Sequence, residues 1–258
     1  MKKFFHVVLF TLICFSSIPL LASDLGFTVG LDYSSKSIWR GIYIYDKDGS
    51  FNPFISYDIF DTGLSLTVGS VLVDDYVLES KDNKTYRDSQ LTEFCVDYSN
   101  KFGFVTLGAG FYYYRYWDND FSYSESHVSL AFEDIPLSPT IIYTHDYYFS
   151  SKADKQGKDF YIQFGISHSF DLIEEVASLD LGAIAGYYKC SSWGDDLKGV
   201  SDIDLSVGLT FTHGAVEYSA GFHYVIVPSK DFYYNIYFDG TNKDISRFYS
   251  TFGASYSF

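Results

Sequence analysis

The chain has 258 residues, 47% of them hydrophobic and 21% aromatic, with 25 Tyr, 25 Phe and an initiator as the only Met. Its 33 acidic residues outnumber 18 Lys and Arg, a net charge of −15 that argues against nucleic acid as a partner, since phosphates need a basic surface. Beyond the N-terminus no apolar run approaches the ~20 residues that a membrane-spanning helix requires.

The N-terminus reads as a secretory signal peptide over residues 1–23. Lys2 and Lys3 precede an apolar stretch from Phe4 to Leu21, and Leu20-Leu21-Ala22 offers cleavage before about Ser23 or Asp24. Cys14 follows Ile13, not a small residue, which does not suit lipoprotein processing. Removing the leader takes away two Lys and leaves 16 basic against 33 acidic residues, a net charge of −17 on residues 24–258. Cys95 and Cys190 survive processing. Export permits a disulfide, but one thiol falls mid-strand and the other at a strand's outer end, which favours free thiols.

About twelve strand-like segments follow: 26–40, 51–60, 63–74, 90–99, 102–117, 121–132, 139–149, 158–170, 177–190, 201–212, 215–227 and 247–258. Their signal is a period of two. Ile203, Leu205, Val207, Leu209 and Phe211 interleave with Asp204, Ser206, Gly208, Thr210 and Thr212, and Phe160, Ile162, Phe164 and Ile166 with Tyr161, Gln163, Gly165 and Ser167. In the last segment Phe248, Phe252, Ala254, Tyr256 and Phe258 oppose small and polar residues. A greasy face set against a small polar one suits lipid on one side and water on the other. Ending on an aromatic also matches the C-terminal signal by which bacterial outer-membrane proteins engage their assembly machinery.

The connections are sorted. Asp61-Thr62, Asn100-Lys101, 133–138, 171–176 and His213-Gly214 are short turns, while 41–50, 75–89, 150–157, 191–200 and 228–246 are longer; Asp118-Asn119-Asp120 is the exception. Short turns at one rim and long loops at the other are the pattern of an outer-membrane barrel with both termini in the periplasm. Pro53, Pro136, Pro139 and Pro228 sit near strand ends or in turns, where a missing N–H is tolerated. The aromatic run from Phe232 to Phe238 before Asp239-Gly240 suggests a β-excursion beyond the membrane. The expected architecture is all-β: one antiparallel transmembrane barrel of about twelve strands, with outer-membrane lipid around it.

The most distinctive string runs from Leu31 to Gly41. With Phe27, Val29, Leu31 and Tyr33 facing lipid, unbroken parity sends Trp39 outward into the interfacial aromatic girdle, with Tyr256 and Phe258 as its other candidates. The same parity points Asp32, Lys36 and Arg40 into the lumen. Here Ser35-Lys36-Ser37-Ile38-Trp39-Arg40-Gly41 resembles a first-strand pattern, Ser-x-Tyr-x-(Trp or Phe)-Arg-Gly, of small bacterial outer-membrane proteins known as the gcw-type conserved hypothetical family, with Ser37 where an aromatic is usual. The resemblance covers about residues 29–58 and implies an outer-membrane barrel without supplying an activity.

Inward parity also collects Asp58, Glu93, Asp97, Asp180, Asp204 and Glu217. A ring of carboxylates draws cations into a pore; the same acids paired with Lys36, Arg40 and Arg247 would fill a barrel that conducts nothing. His127-Val128-Ser129 places a His and a Ser on one face, as in outer-membrane lipid hydrolases with a His-x-Ser strand, but no acid to orient the His is evident. The other His residues lack metal-ligand spacing. The reading is therefore a non-enzymatic pore for small polar or cationic solutes without metal or cofactor, a non-conducting structural or surface barrel as alternative, and a barrel hydrolase as a remote third.

Overall fold

The computed structural model describes residues 25–43, 49–73, 78–79, 85–86, 90–117, 121–148, 159–191, 197–229, 232 and 246–258. The signal segment and most of the 228–246 connection lie outside the described residues. Twelve antiparallel strands form a closed barrel. They are β1 (Phe27–Ser34), β2 (Ser50–Ile59), β3 (Leu64–Val73), β4 (Gln90–Phe102), β5 (Val105–Tyr116), β6 (Phe121–Ala131), β7 (Thr140–Tyr148), β8 (Phe160–Ile173), β9 (Ala177–Cys190), β10 (Leu197–His213), β11 (Val216–Ile226) and β12 (Ser246–Ser257). Each strand pairs with its neighbours in sequence, and β12 returns to β1, with Thr28 opposite Ser257 and Ser34 opposite Thr251. Closure leaves no edge, as it must where no water can satisfy a backbone N–H or C=O.

Residues 25–27 and 258 meet at one rim, where the Leu25 N–H donates to the Phe258 carbonyl at 3.2 Å and the Phe258 N–H to the Phe27 carbonyl at 2.8 Å. The connections 60–63, 103–104, 132–139, 174–176 and 214–215 lie at this short-turn rim. All twelve strands coincide with segments marked out by the alternation. The lengths differ in places, since β8 and β10 run longer at their ends and the register between β9 and β10 shifts at Gly186/Tyr187.

The outer surface is apolar around the whole circumference. Val68, Phe94, Phe111, Val128, Phe164, Leu209, Phe222 and Phe252 lie on eight different strands and are all exposed. A water-soluble sandwich would bury these side chains; a barrel in lipid displays them.

One expectation fails. The first segment does not continue as a strand to residue 40: β1 stops at Ser34, and Ile38–Trp39 pairs with Ile42–Tyr43 in a two-residue hairpin. Its loop is Arg40-Gly41, both with positive φ (49° and 79°), the backbone of a type I′ turn. That reversal folds the chain into the lumen, so Trp39 is not a girdle residue. It packs inside, edge-on to Tyr188 at 5.9 Å between ring centroids, against a small buried cluster of Ile42, Tyr161, Tyr188, Cys190, Leu197, Val227 and Phe232. Tyr256 and Phe258 stack edge-on at 4.7 Å on the outward parity of β12.

Candidate functional site

The hairpin carries Arg40 into the middle of a polar network. Its guanidinium donates from Nη1 to Asp146 Oδ2 at 2.7 Å and from Nη2 to Glu125 Oε1 at 3.0 Å, with Asp146 fully buried and the Arg40 and Glu125 side chains 6% and 7% exposed. Tyr188 donates to Asp146 at 3.1 Å and Tyr114 to Glu125 at 3.4 Å. Three rings surround the cation, Trp39 at 4.2 Å, Tyr161 at 4.7 Å and Tyr188 at 5.0 Å from its central carbon. Burial opposes the charge on Arg40, but Glu125 and Asp146 outweigh it and hold the guanidinium's pKa above its ordinary value.

A left-handed conformation costs a side-chain-bearing residue roughly 1–2 kcal/mol, and Arg40 adopts one. The two ion pairs and the aromatic cage offset that strain. Arg247, buried on β12, donates to the Gly41 carbonyl and ties the hairpin tip to the wall. A Cβ on Gly41 would lie 2.9 Å from the Ser201 carbonyl oxygen and 3.0 Å from Asp202 Cβ, in a backbone region that L side chains rarely adopt. Gly41→Ala is therefore expected to lower stability by about 1–3 kcal/mol, read as a shift of the urea midpoint in lipid vesicles.

Beside the hairpin lies a cavity of about 430 Å³, within the range of small-molecule sites. Trp39, Arg40, Tyr114 and Glu125 line one part of it; Tyr161, Asp202 and Asp204 line another. Asp202 accepts from Tyr161 at 3.0 Å and from the adjacent Ser201, while Asp204 lies 3.2 Å from His223 Nδ1 and accepts from Tyr249 at 3.4 Å.

The acids singled out by sequence do not form one ring. Asp58, Asp180 and Glu217 lie within three residues of the short-turn ends of β2, β9 and β11, with Asp58 and Glu217 exposed. Asp180 is caged by hydroxyls, accepting from Ser169 at 2.6 Å, Ser178 at 3.2 Å and Thr210 at 3.0 Å. Asp32 sits opposite Asn52 and Gly253, and Glu93 opposite Gly69 and Tyr114. Lys36 is on the connection between β1 and the hairpin, where its carbonyl accepts from Ser34 at 2.6 Å. Arg40 enters the lumen as expected, but from the hairpin turn and not from a strand.

Sequence reasoning passed over Glu125, Asp146 and Asp202, the acids nearest the hairpin. Each shares strand parity with a residue that lines the cavity: Glu125 with His127, Asp146 with Thr144, Asp202 with Asp204. It also missed the partner of His127, whose Nε2 lies 3.2 Å from Asp97 Oδ1 across the sheet. Ser129 shares the face of His127, but among the described residues no hydrogen bond joins them; its hydroxyl lies over Gly108 instead. Cys95 and Cys190 are buried thiols on separate strands, not bonded to one another, the first beside Asp97 and the second 3.6 Å from Asp159.

No protein-family model and no curated protein matches the sequence. Solved structures do match in shape. The NanC porin aligns over 90% of this chain and 100% of its own, with 11% identity and a TM-score of 0.55. The KdgM porin in complex with disordered oligogalacturonate aligns over 90% and 99%, with 13% identity and a TM-score of 0.54. An outer-membrane channel from Pseudomonas putida F1 aligns over 93% and 99%, with 12% identity and a TM-score of 0.49. The chain has the fold of the outer-membrane β-barrels.

Proposed function

We propose that this protein is a narrow outer-membrane channel for small polar or cationic solutes. The observation that carries the reading is the lumen itself: a polar, acid-rich interior inside an apolar exterior, with a cavity beside the hairpin that a small solute fits. The similarity of shape to two porins supports it. The oligogalacturonate of the KdgM structure is a polyanion, and the carboxylate excess of this lumen disfavours such a solute. A hydrolase is a weaker reading, because among the described residues no hydrogen bond joins Ser129 to His127.

Residues 1–23 act, in this account, as a signal peptide cleaved on export to the bacterial outer membrane, and the β12 strand ending in Phe258 as the segment shown to the assembly machinery. Deleting Phe258 removes the hydrogen bond to Phe27 and the outward ring beside Tyr256. The expected result is less heat-modifiable barrel in outer-membrane fractions; undiminished assembly would refute this role.

The function is tested by reversal potentials across planar bilayers under a salt gradient. Carboxylates in a low-dielectric bore repel anions, and salt screens that field over about 10 Å at roughly 0.1 M. Cation preference is expected at low salt, fading as salt rises. Asp204→Asn with Glu217→Gln should reduce it while the barrel still assembles. Anion preference, or selectivity unmoved by the pair, would sink the reading.

A further inference from the structure

The cage around Arg40 shows what these walls can hold. One guanidinium sits between two carboxylates, Glu125 and Asp146, with the rings of Trp39, Tyr161 and Tyr188 within 4.2–5.0 Å. Next to the cage, and sharing Tyr161 with it, the β10 wall offers similar chemistry. Asp202 and Asp204 stand two residues apart on one face, flanked by Tyr161 and Tyr249. Among the described residues no Lys or Arg forms an ion pair with either acid; their partners are hydroxyls and His223. Among the described residues that line the cavity, three carboxylates (Glu125, Asp202 and Asp204) meet one guanidinium, that of Arg40, which Glu125 already shares with Asp146. The volume of about 430 Å³ leaves room for a small organic ion.

We propose that this cavity is a binding site for a small organic cation of the guanidinium class, held by Asp202 and Asp204 against the tyrosine walls. Planar guanidinium matches a carboxylate by two parallel hydrogen bonds and an aromatic ring by its face. An uncharged solute of the same shape gains neither the charge nor the ring attraction. The proposal rests on the lumen being open to solutes, and it names which solute class lingers there.

The test is calorimetric titration of the full chain in detergent at low salt, with ethylguanidinium chloride as probe and ethylurea as its uncharged counterpart. Ethylguanidinium should bind at least tenfold more tightly than ethylurea, and Asp202→Asn with Asp204→Asn should weaken it at least tenfold. Asp180→Asn, at the far end of the lumen, should leave it unchanged. If the double variant does not give a heat-modifiable barrel, Asp204→Asn alone serves and should weaken binding severalfold. Equal binding of both probes, or equal loss in the Asp180 variant, would overturn the site. Planar bilayers separate the two claims: binding without conductance refutes the channel and leaves the site, whereas conductance without binding refutes the site alone.

Discussion

Replacing Arg40 by Met is expected to destabilise the barrel by about 3–5 kcal/mol, the range for removing one partner of a buried ion pair. The cause is what remains. Glu125 and Asp146 are almost fully withdrawn from water and lie side by side in the register of β6 and β7, so without the guanidinium two buried carboxylates repel one another. The hairpin also loses the contact that offsets the left-handed backbone of Arg40. The measurement is urea unfolding in lipid vesicles. The discriminating control is Arg40→Met combined with Glu125→Gln and Asp146→Asn, which should recover much of the loss because no charge is left unpaired. A loss unchanged in the triple variant would mean that the hairpin is held by its apolar contacts and not by the ion pairs.

Arg at Leu209, or at Val207 on the same face of β10, is expected to cost about 2–4 kcal/mol if these positions lie near the bilayer midplane. Both side chains are exposed on the outer surface, 52% and 41%, where only lipid can surround them. The neighbour Gly208 points the other way. A Cβ there would meet nothing closer than the Ala220 carbonyl oxygen at 3.6 Å and Asp180 Cβ at 3.8 Å. Arg at position 208 therefore finds room and a carboxylate, and its cost should stay well below that at 209. Vesicle-based unfolding of the three variants gives the comparison. Equal damage on both faces would point to a barrel filled as tightly as a soluble core.

The barrel was legible because lipid writes a period of two on every strand, and the run from Ile203 to Phe211 or from Phe160 to Ile166 needs no long-range information. The hairpin was not legible for the opposite reason. Parity runs on smoothly from Phe27 to Trp39, and the reversal is cued locally only by Gly41 after an Arg that rarely adopts positive φ. What makes the turn worthwhile is a set of partners 85 and 106 residues away in sequence, Glu125 and Asp146. Trp39 was misplaced with it. The inward set was half legible: parity gave Asp204 and Asp97, but which acids gather around the cation depends on how twelve strands are staggered around the barrel, and no single strand records that. The register shift at Gly186/Tyr187, which sets how Asp202 meets the β9 wall, is likewise silent in the sequence.

In the proposed channel a water-filled path runs past the hairpin and the net charge of the lumen chooses the ion. Single-channel recording of the unmodified protein in a planar bilayer, with potassium chloride at roughly 0.1 M so that screening reaches no further than about 10 Å, tests it most directly. Small, discrete conductance steps with a reversal potential on the cation side are expected. A correctly folded, heat-modifiable barrel that gives no steps, or steps that reverse on the anion side, would contradict the proposed channel.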